Sequence, residues 1–487
     1  MDNGSIYPWE KDTQRGYSIG WNLKTLMSKG LPGSNPPKKI VDLLEQMKNL
    51  TNLSSHEWSG PITFNSFDNY LALFAAKENP SRKNFTDYVA DFLQNINGRN
   101  VTITLDLISR SSFIKTEKTQ VILNAINDVI HEIYESTLEK GIFEPRITIN
   151  LYPETDWSLE SLNNFLELSY LYGQPIYQNF TTGTINPETL RSRKGLPDYD
   201  TTYLRMGGPA GDSEDQSVIG YCCINLAKLG SEASNEQDFF SLLDEKLDEA
   251  VFLLEQKREH VESRYRTGDM PLTKYFLDDL DWCFSVITLL GMNEALETLI
   301  AAPLGHVAGK AVTYKVIEHL LRRIENIQYS KKHLYSLESY PSERIGSKLL
   351  KEYSSDYGYL TPGTELKPSH GDDLWDVLEH QKKYHSMYTG GTLQQIYLNE
   401  GLTYNYGLKL LIKRTVETFG YNYLAVTPNF SLCPEHGYIR GNNICQICGK
   451  TGETYIRVDT DIMKLSDLPI SLKEAHRKRV YYDVKNK

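Results

Sequence analysis

Four residues near the C-terminus have the types and spacing to hold a metal ion: Cys433-x2-His436-x8-Cys445-x2-Cys448. Ligand pairs two residues apart sit on tight turns, and Gly437 and Gly449 directly follow the two pairs. Thiolate and imidazole donors suit Zn2+, and four protein ligands leave no coordination position open, so the spacing predicts a structural zinc site. The flanking residues are not basic until His476 to Arg479, which argues against a nucleic-acid-binding knuckle.

The rest of the 487-residue chain must supply the elements that carry this segment. Hydrophobic residues make up 40% and charged residues 24%, an ordinary soluble composition. The formal net charge of -11 gives no general attraction to a nucleic-acid backbone, so an anionic ligand needs a local site. The N-terminus lacks a basic and apolar leader pattern, and no apolar run is long enough to cross a membrane. Six cysteines are too few for a disulfide framework. These features together predict a cytoplasmic protein.

Period-two alternation predicts a strand over 100–107, and short apolar runs predict further strands over 146–151, 217–226 and 423–427. Helical spacing predicts helices over 121–138, 156–172, 239–265, 312–328 and 402–419, with Asp156 or Ser158 capping the second. Strands separated by helices imply an α/β fold with much parallel pairing. About 420 residues precede the zinc segment, which fits a large barrel better than several small sheets. Two Gly-, Pro- and Asp-rich stretches, 195–215 and 353–373, read as long loops of the kind that carry function.

The run Thr427-Pro-Asn-Phe-Ser-Leu-Cys-Pro-Glu-His-Gly-Tyr-Ile resembles the zinc region of anaerobic, class III ribonucleotide reductases. Further matches follow in the family's order. They are Gly20-Trp-Asn-Leu-Lys, Glu57-Trp-Ser-Gly, Phe64-Asn-Ser-Phe-Asp-Asn-Tyr-Leu, Gln178-Asn-Phe, Asn186-Pro-Glu-Thr-Leu-Arg-Ser, Gly291-Met-Asn-Glu, Leu337-Glu and Tyr388-Thr-Gly-Gly-Thr. The resemblance implies a ten-stranded glycyl-radical-enzyme-type α/β barrel, usually dimeric, over 1–425. A zinc-binding segment with the glycyl-radical loop follows over 426–487. The family's N-terminal ATP cone has no counterpart in this sequence.

The family stores a radical on a glycine in one loop and passes it to a cysteine on a second loop. In the aligned run Arg457-Val458-Asp459-Thr460-Asp461, Thr460 stands at the glycine position. A threonine α-radical would be crowded by its β-branch. In the second loop Arg191-Ser192 is followed by Arg193-Lys194-Gly195, without cysteine. Cys222 and Cys223 lie on a predicted strand, so one of them faces the lumen, with a plain core role the commoner outcome for such residues. Cys283, beside Trp282 in an expected helix, reads as core.

The resulting expectation is a radical-incompetent relative that keeps the zinc site and a nucleotide pocket. It would act as a nucleotide-binding or regulatory protein, as a homodimer or beside an intact reductase. One alternative is altered, non-radical chemistry on a phosphorylated substrate, with Asn293, Glu294 and Lys194 as candidate catalytic groups. Gly390, Gly391 and Thr392 would then let backbone N–H groups approach a phosphate. The other alternative is a true reductase whose radical comes from a partner.

Overall fold

The computed structural model describes residues 4–10, 14–110, 117–181, 197, 199–200, 211–339, 342–352, 357–367, 373–399, 404–440 and 443–482. A short strand, β1 (Ile6–Pro8), precedes a ring of ten. The first half of the ring is β2 (Ser18–Trp21), β3 (Ile62–Phe64), β4 (Val101–Leu105), β5 (Arg146–Leu151) and β6 (Ile176–Asn179), all parallel. The second half is β7 (Ser217–Asn225), β8 (Cys283–Leu290), β9 (Leu334–Glu338), β10 (Leu393–Leu398) and β11 (Tyr423–Pro428). These are also parallel to one another. The last gap, β9 to β10, is closed by a parallel bridge between Glu338 and Gly391 and by the Gly390 N–H donating to Leu337 O at 3.0 Å.

The two halves run antiparallel where they meet, at β2–β7 and at β6–β11. Helices cross between successive parallel strands, as parallel pairing requires. The expected ten-stranded α/β barrel is therefore the fold.

Alternation along the strands sorts their two faces. On the first half, Ile62, Phe64, Val101, Ile103, Ile147 and Ile149 point outward into the core shared with the helices. Their neighbours Thr63, Thr102, Thr104, Thr148 and Asn150 point into the lumen, and all are buried. On the second half, Cys222, Ile287 and Leu337 pack outward with Leu247 and Leu320 of the covering helices, leaving Cys223, Thr288 and Glu338 on the inner face.

A second sheet follows, made of β12 (Phe430–Cys433), β13 (Gly437–Arg440), β14 (Glu453–Val458) and β15 (Asp461–Lys464) in the order β13-β12-β14-β15. Phe430 anchors it to the barrel. Its ring stacks on Tyr455 at 5.8 Å and on Tyr438 at 6.1 Å, and it meets Tyr172 edge-on at 6.0 Å and Phe143 at 6.1 Å.

Several expectations from the sequence shift. Cys283 opens strand β8 rather than lying in a helix. The helix expected from 156 begins at Glu160, and Asp156 instead accepts from the Ser158 N–H. The helix expected over 402–419 is α-helical over Tyr404–Arg414 and ends in a π turn over Thr415–Phe419.

Phe430 is 1% exposed. Phe430→Ala is expected to destabilise the chain by about 3–5 kcal/mol, the range for emptying a buried aromatic site. Urea unfolding would measure it. A loss under about 1 kcal/mol would show that the small sheet does not depend on this hub.

Candidate functional site

The lumen is polar along the inner faces of β3, β4 and β5, where a packed barrel interior would be apolar, while β7 and β8 turn Tyr221, Cys223, Phe284 and Val286 inward. At the C-terminal end of β4, Asp106 accepts from Asn69 Nδ2 at 3.0 Å, Asn150 Nδ2 at 2.8 Å and the Tyr152 hydroxyl at 2.8 Å. Behind it, Asp68 accepts from the N–H groups of Asp106 and Leu107 and from Asn127 Nδ2. Burial, then the charge of Asp106, pushes the Asp68 carboxyl up to about 7. The Arg110 guanidinium lies 3.6 Å from the centre of the Tyr152 ring, and Tyr152 stacks on Phe180 at 5.3 Å. Thr148 Oγ1 and Asn150 Oδ1 are buried with no hydrogen-bond partner among the described residues. Such groups suit a polar ligand or ordered water.

The stretch 211–216 lies inside the ring. The Asp212 N–H donates to Thr63 Oγ1 at 3.0 Å, Asn65 Nδ2 donates to Asp212 O at 2.9 Å, and the Tyr70 hydroxyl donates to Glu214 Oε1 at 2.9 Å. A side chain at Gly20 would collide with the carbonyls of Asp212 and Ser213, so glycine there is what admits this segment. Opposite, Cys223 shares the inner face with Thr288 and Glu338, and burial pushes its thiol up to about 12. At neutral pH it is a thiol, not a thiolate.

The far end of the lumen is closed by the hairpin β14–β15, whose tip is Val458–Asp461. Thr460 is 1% exposed there. Arg457 is fully buried. It donates to Thr427 Oγ1 at 2.7 Å, to Thr460 O at 3.0 Å and to Gly173 O. Asp461 accepts from Arg146 Nη1 of β5 at 2.6 Å and from Arg344 Nη2, which follows β9. Burial alone would raise the Asp461 carboxyl, but Arg146 and Arg344 outweigh it and hold the group well below the usual carboxylate range.

The same small sheet carries the metal-ligand cluster. The ligand atoms of Cys433, His436, Cys445 and Cys448 lie within 4.8 Å of one another. Cys433 Sγ is 3.7 Å from both Cys448 Sγ and His436 Nδ1, and Cys445 Sγ is 3.6 Å from His436 Nδ1. A tetrahedron with metal–sulfur bonds of about 2.3 Å has sulfur–sulfur edges of roughly 3.8 Å, so the donor set fits a four-coordinate ion. Gly437 and Gly449 take left-handed φ values of 72° and 70° after the two pairs, which turns each pair of ligands inward. Among the described residues, this is the one group of its kind.

The other expected site residues have specific places. Asn293 and Glu294 are buried in the first turn of the helix Met292–Ile300. Asn293 Nδ2 donates to Thr361 Oγ1 at 3.2 Å and to Glu365 O, and Glu294 accepts from the Thr361 hydroxyl at 2.6 Å. Both tie down the segment 361–365. The N–H of Gly390 is spent on Leu337 O and that of Gly391 on Tyr388 O. The room left by their missing side chains is taken by Glu338 and Tyr423. Thr392 Oγ1 bonds His385 Nδ1. Lys194 and the rest of the loop 191–195 lie outside the described residues.

The sequence reading missed Asp68 and Asp106, which are 38 positions apart. The only signal was that Asp68 falls in the Phe64–Leu71 motif. It also missed Arg146, Arg344 and Arg479. By contrast, Glu57 of the Glu-Trp-Ser-Gly motif is a packing clasp. It accepts from the N–H groups of Leu272 and Thr273 at 2.8 Å each, capping the helix Pro271–Phe276.

The family profile described as anaerobic ribonucleoside-triphosphate reductase matches residues 1–460. A curated anaerobic ribonucleoside-triphosphate reductase from Haemophilus influenzae (strain ATCC 51907 / DSM 11121 / KW20 / Rd) is 23% identical over 267 residues, which is 49% of this chain and 36% of the relative. A solved anaerobic ribonucleotide reductase superposes with a TM-score of 0.80 at 16% identity, covering 99% of this chain and 84% of the other. The Thermotoga maritima anaerobic ribonucleotide reductase, solved in complex with dATP and CTP, gives a TM-score of 0.78 at 15% identity, covering 97% and 84%.

Two outcomes check this geometry. Cys445→Ser is expected to reduce bound metal per chain, read by atomic emission, and to lower the thermal midpoint; full retention of both would remove Cys445 from the ligand set. Asp461→Asn is expected to cost about 2–3 kcal/mol near pH 7, below the ~3–5 typical of a fully buried pair because the side chain is 20% exposed. The folded pKa of Asp461 lies below its unfolded value of about 3.9. Its stabilisation is therefore complete above about pH 4 and is lost as pH falls through the folded pKa. Urea titrations from neutral to acid pH should show the gap between variant and wild type closing at the acid end.

Proposed function

The chain belongs to the anaerobic ribonucleoside-triphosphate reductase family, and from that premise we infer that it is a radical-incompetent member that binds a nucleotide in its barrel. The observation that carries this reading is Thr460, packed at the tip of the hairpin where the family's radical glycine would stand. A threonine there has a β-branch that obstructs a planar α-radical. The altered second loop at Arg193 and Lys194 points the same way. The polar lumen suits a sugar with its hydroxyls, and the flat faces of Arg110, Tyr152 and Phe180 suit a base. Such a protein would act as a nucleotide-binding or regulatory relative, as a homodimer or beside an intact reductase.

The metal in this reading is zinc, bound by Cys433, His436, Cys445 and Cys448 in a structural role. With every position filled by protein, it would brace the small sheet and supply no reactive site.

Titration calorimetry with nucleoside di- and triphosphates tests the pocket. Binding of at least one is expected, and failure of all would leave an interaction or scaffold role instead. Anaerobic EPR after treatment with a reductase activase is expected to show no glycyl doublet. A doublet would overturn the reading of Thr460.

A further inference from the structure

The ring is least regular at the seam between β9 and β10. These strands meet through the Glu338–Gly391 bridge and the Gly390 N–H rather than through a full ladder. Farther along, the edge of β10 pairs with the C-terminal tail instead. The Tyr482 N–H donates to Tyr397 O at 2.8 Å, and the Asn399 N–H donates to Tyr482 O at 3.0 Å. The segment 359–367 borders the same gap. It bridges to the end of β8 at Leu290–Pro362 and is tied down by Asn293 and Glu294. A cavity of about 110 Å³ remains in this seam. Its wall includes Gln394 and Tyr397 of β10, Thr361 and Glu365 of the segment, and Arg479 of the tail. The lumen residues Asp106, Arg110, Asn150 and Tyr152 are not part of it, so the two sites are separate.

The charges in this wall are already matched. Arg479 donates Nη2 to Glu343 Oε1 at 2.6 Å. Lys367 Nζ lies 2.5 Å from Glu297 and 3.5 Å from Glu294. Burial, then the charge of Glu343, pushes the Glu365 carboxyl up to about 8, so it is mostly protonated at neutral pH. Two hydrogen-bonding atoms of the wall residues are not matched. Gln394 Oε1 and Arg479 Nη1 are buried with no partner among the described residues. Gln394 is 4% exposed and the Arg479 side chain 7%. Gln394 spends Nε2 on Gln395 O at 3.1 Å, so an acceptor is what it has left. Arg479 has a donor left. Leu350, Leu360, Val377 and Leu472 make much of the remaining wall apolar. Buried polar groups normally have partners, so an unpaired donor and acceptor on the wall of one cavity point to a ligand.

We propose that the seam cavity binds a small uncharged aliphatic amide, whose carbonyl oxygen accepts from Arg479 and whose N–H donates to Gln394. Size sets the first limit. A cavity of roughly 150 Å³ accepts benzene, so this one holds about four or five non-hydrogen atoms, and a nucleotide is far too large. Charge sets the second. An ion would enter a wall that has no counter-charge to spare. Polarity sets the third. A polyol would press further hydroxyls against leucine side chains, and a ketone would leave Gln394 unpaired. An amide supplies both missing partners on one flat group and leaves a short alkyl end for the apolar wall. The inference does not rest on nucleotide binding, which concerns the lumen.

Saturation-transfer NMR titrations of the full chain would compare three probes of nearly equal shape: propionamide, butanone and propionate. Propionamide is expected to bind saturably and about tenfold tighter than either of the others, since butanone lacks the donor and propionate brings a charge. Gln394→Met keeps the side-chain length and removes the acceptor. It is expected to bring the preference for propionamide over butanone down to about one, a ratio that a purely structural role for Gln394 would not move. Ala475→Leu places a larger side chain on the helix Ile470–Lys478 at the cavity wall. It is expected to abolish binding of propionamide and butanone alike, and it locates the site even if the Gln394 variant does not fold. Lack of saturable propionamide binding by the wild-type chain would overturn the proposal. So would an unchanged preference in folded Gln394→Met, or unchanged binding in folded Ala475→Leu.

Discussion

Asp461, held between Arg146 and Arg344, ties the C-terminal hairpin to both halves of the barrel at once. Arg146 begins β5 in the first half, and Arg344 follows β9 in the second. The halves run antiparallel, so the N-terminal ends of one meet the C-terminal ends of the other on the same rim. A carboxylate at that rim reaches a guanidinium from each. A buried charge is tolerated only when paired and hydrogen-bonded, and each member here is. The hairpin is therefore fixed across the mouth of the ring, and Arg457 behind it is satisfied by a hydroxyl and two carbonyls without needing a carboxylate.

The metal-ligand cluster lies on the same small sheet as that hairpin. Cys433 ends β12, which pairs with both β13 and β14, and β14 leads straight into the tip. A four-coordinate ion would staple two turns that have few apolar contacts of their own; among the described residues the local cluster is Cys433, Ile439, Cys445 and Cys448. The brace and the aromatic hub at Phe430 act on opposite ends of the same small sheet. The tip of this sheet carries Asp459, Thr460 and Asp461, and its two carboxylates are spent on holding position.

The lumen is the other consequence of closing ten strands. A ring of this size has more interior than apolar side chains fill, and the inner faces of β3, β4 and β5 carry Thr, Asn and Arg instead. The Asp106 network with Asn69, Asn150 and Tyr152 fixes one wall, and the segment 211–216 fixes another. The opposite wall, with Cys223, Thr288 and Glu338, is uncharged apart from Glu338. The site is therefore asymmetric, with its densest hydrogen bonding at the first half's strand ends.

Much was determined by local sequence. The ligand spacing and its two glycines marked the metal cluster, since a tight turn with two donors is a local property. Long amphipathic helices were legible for the same reason, and the ordered motifs led to the family and its barrel. The tertiary structure alone decided the rest. Strands such as β8 and β9 are buried on both faces or very short, so their period is faint, and Cys283 was misplaced into a helix. Which of Cys222 and Cys223 faces inward depended on the register of β7 against β8. The pairings of Asp461 with Arg146 and of Asp459 with Glu343 join residues 315 and 116 positions apart. No spacing rule encodes such contacts, because they exist only once the ring has closed and brought its two antiparallel rims together.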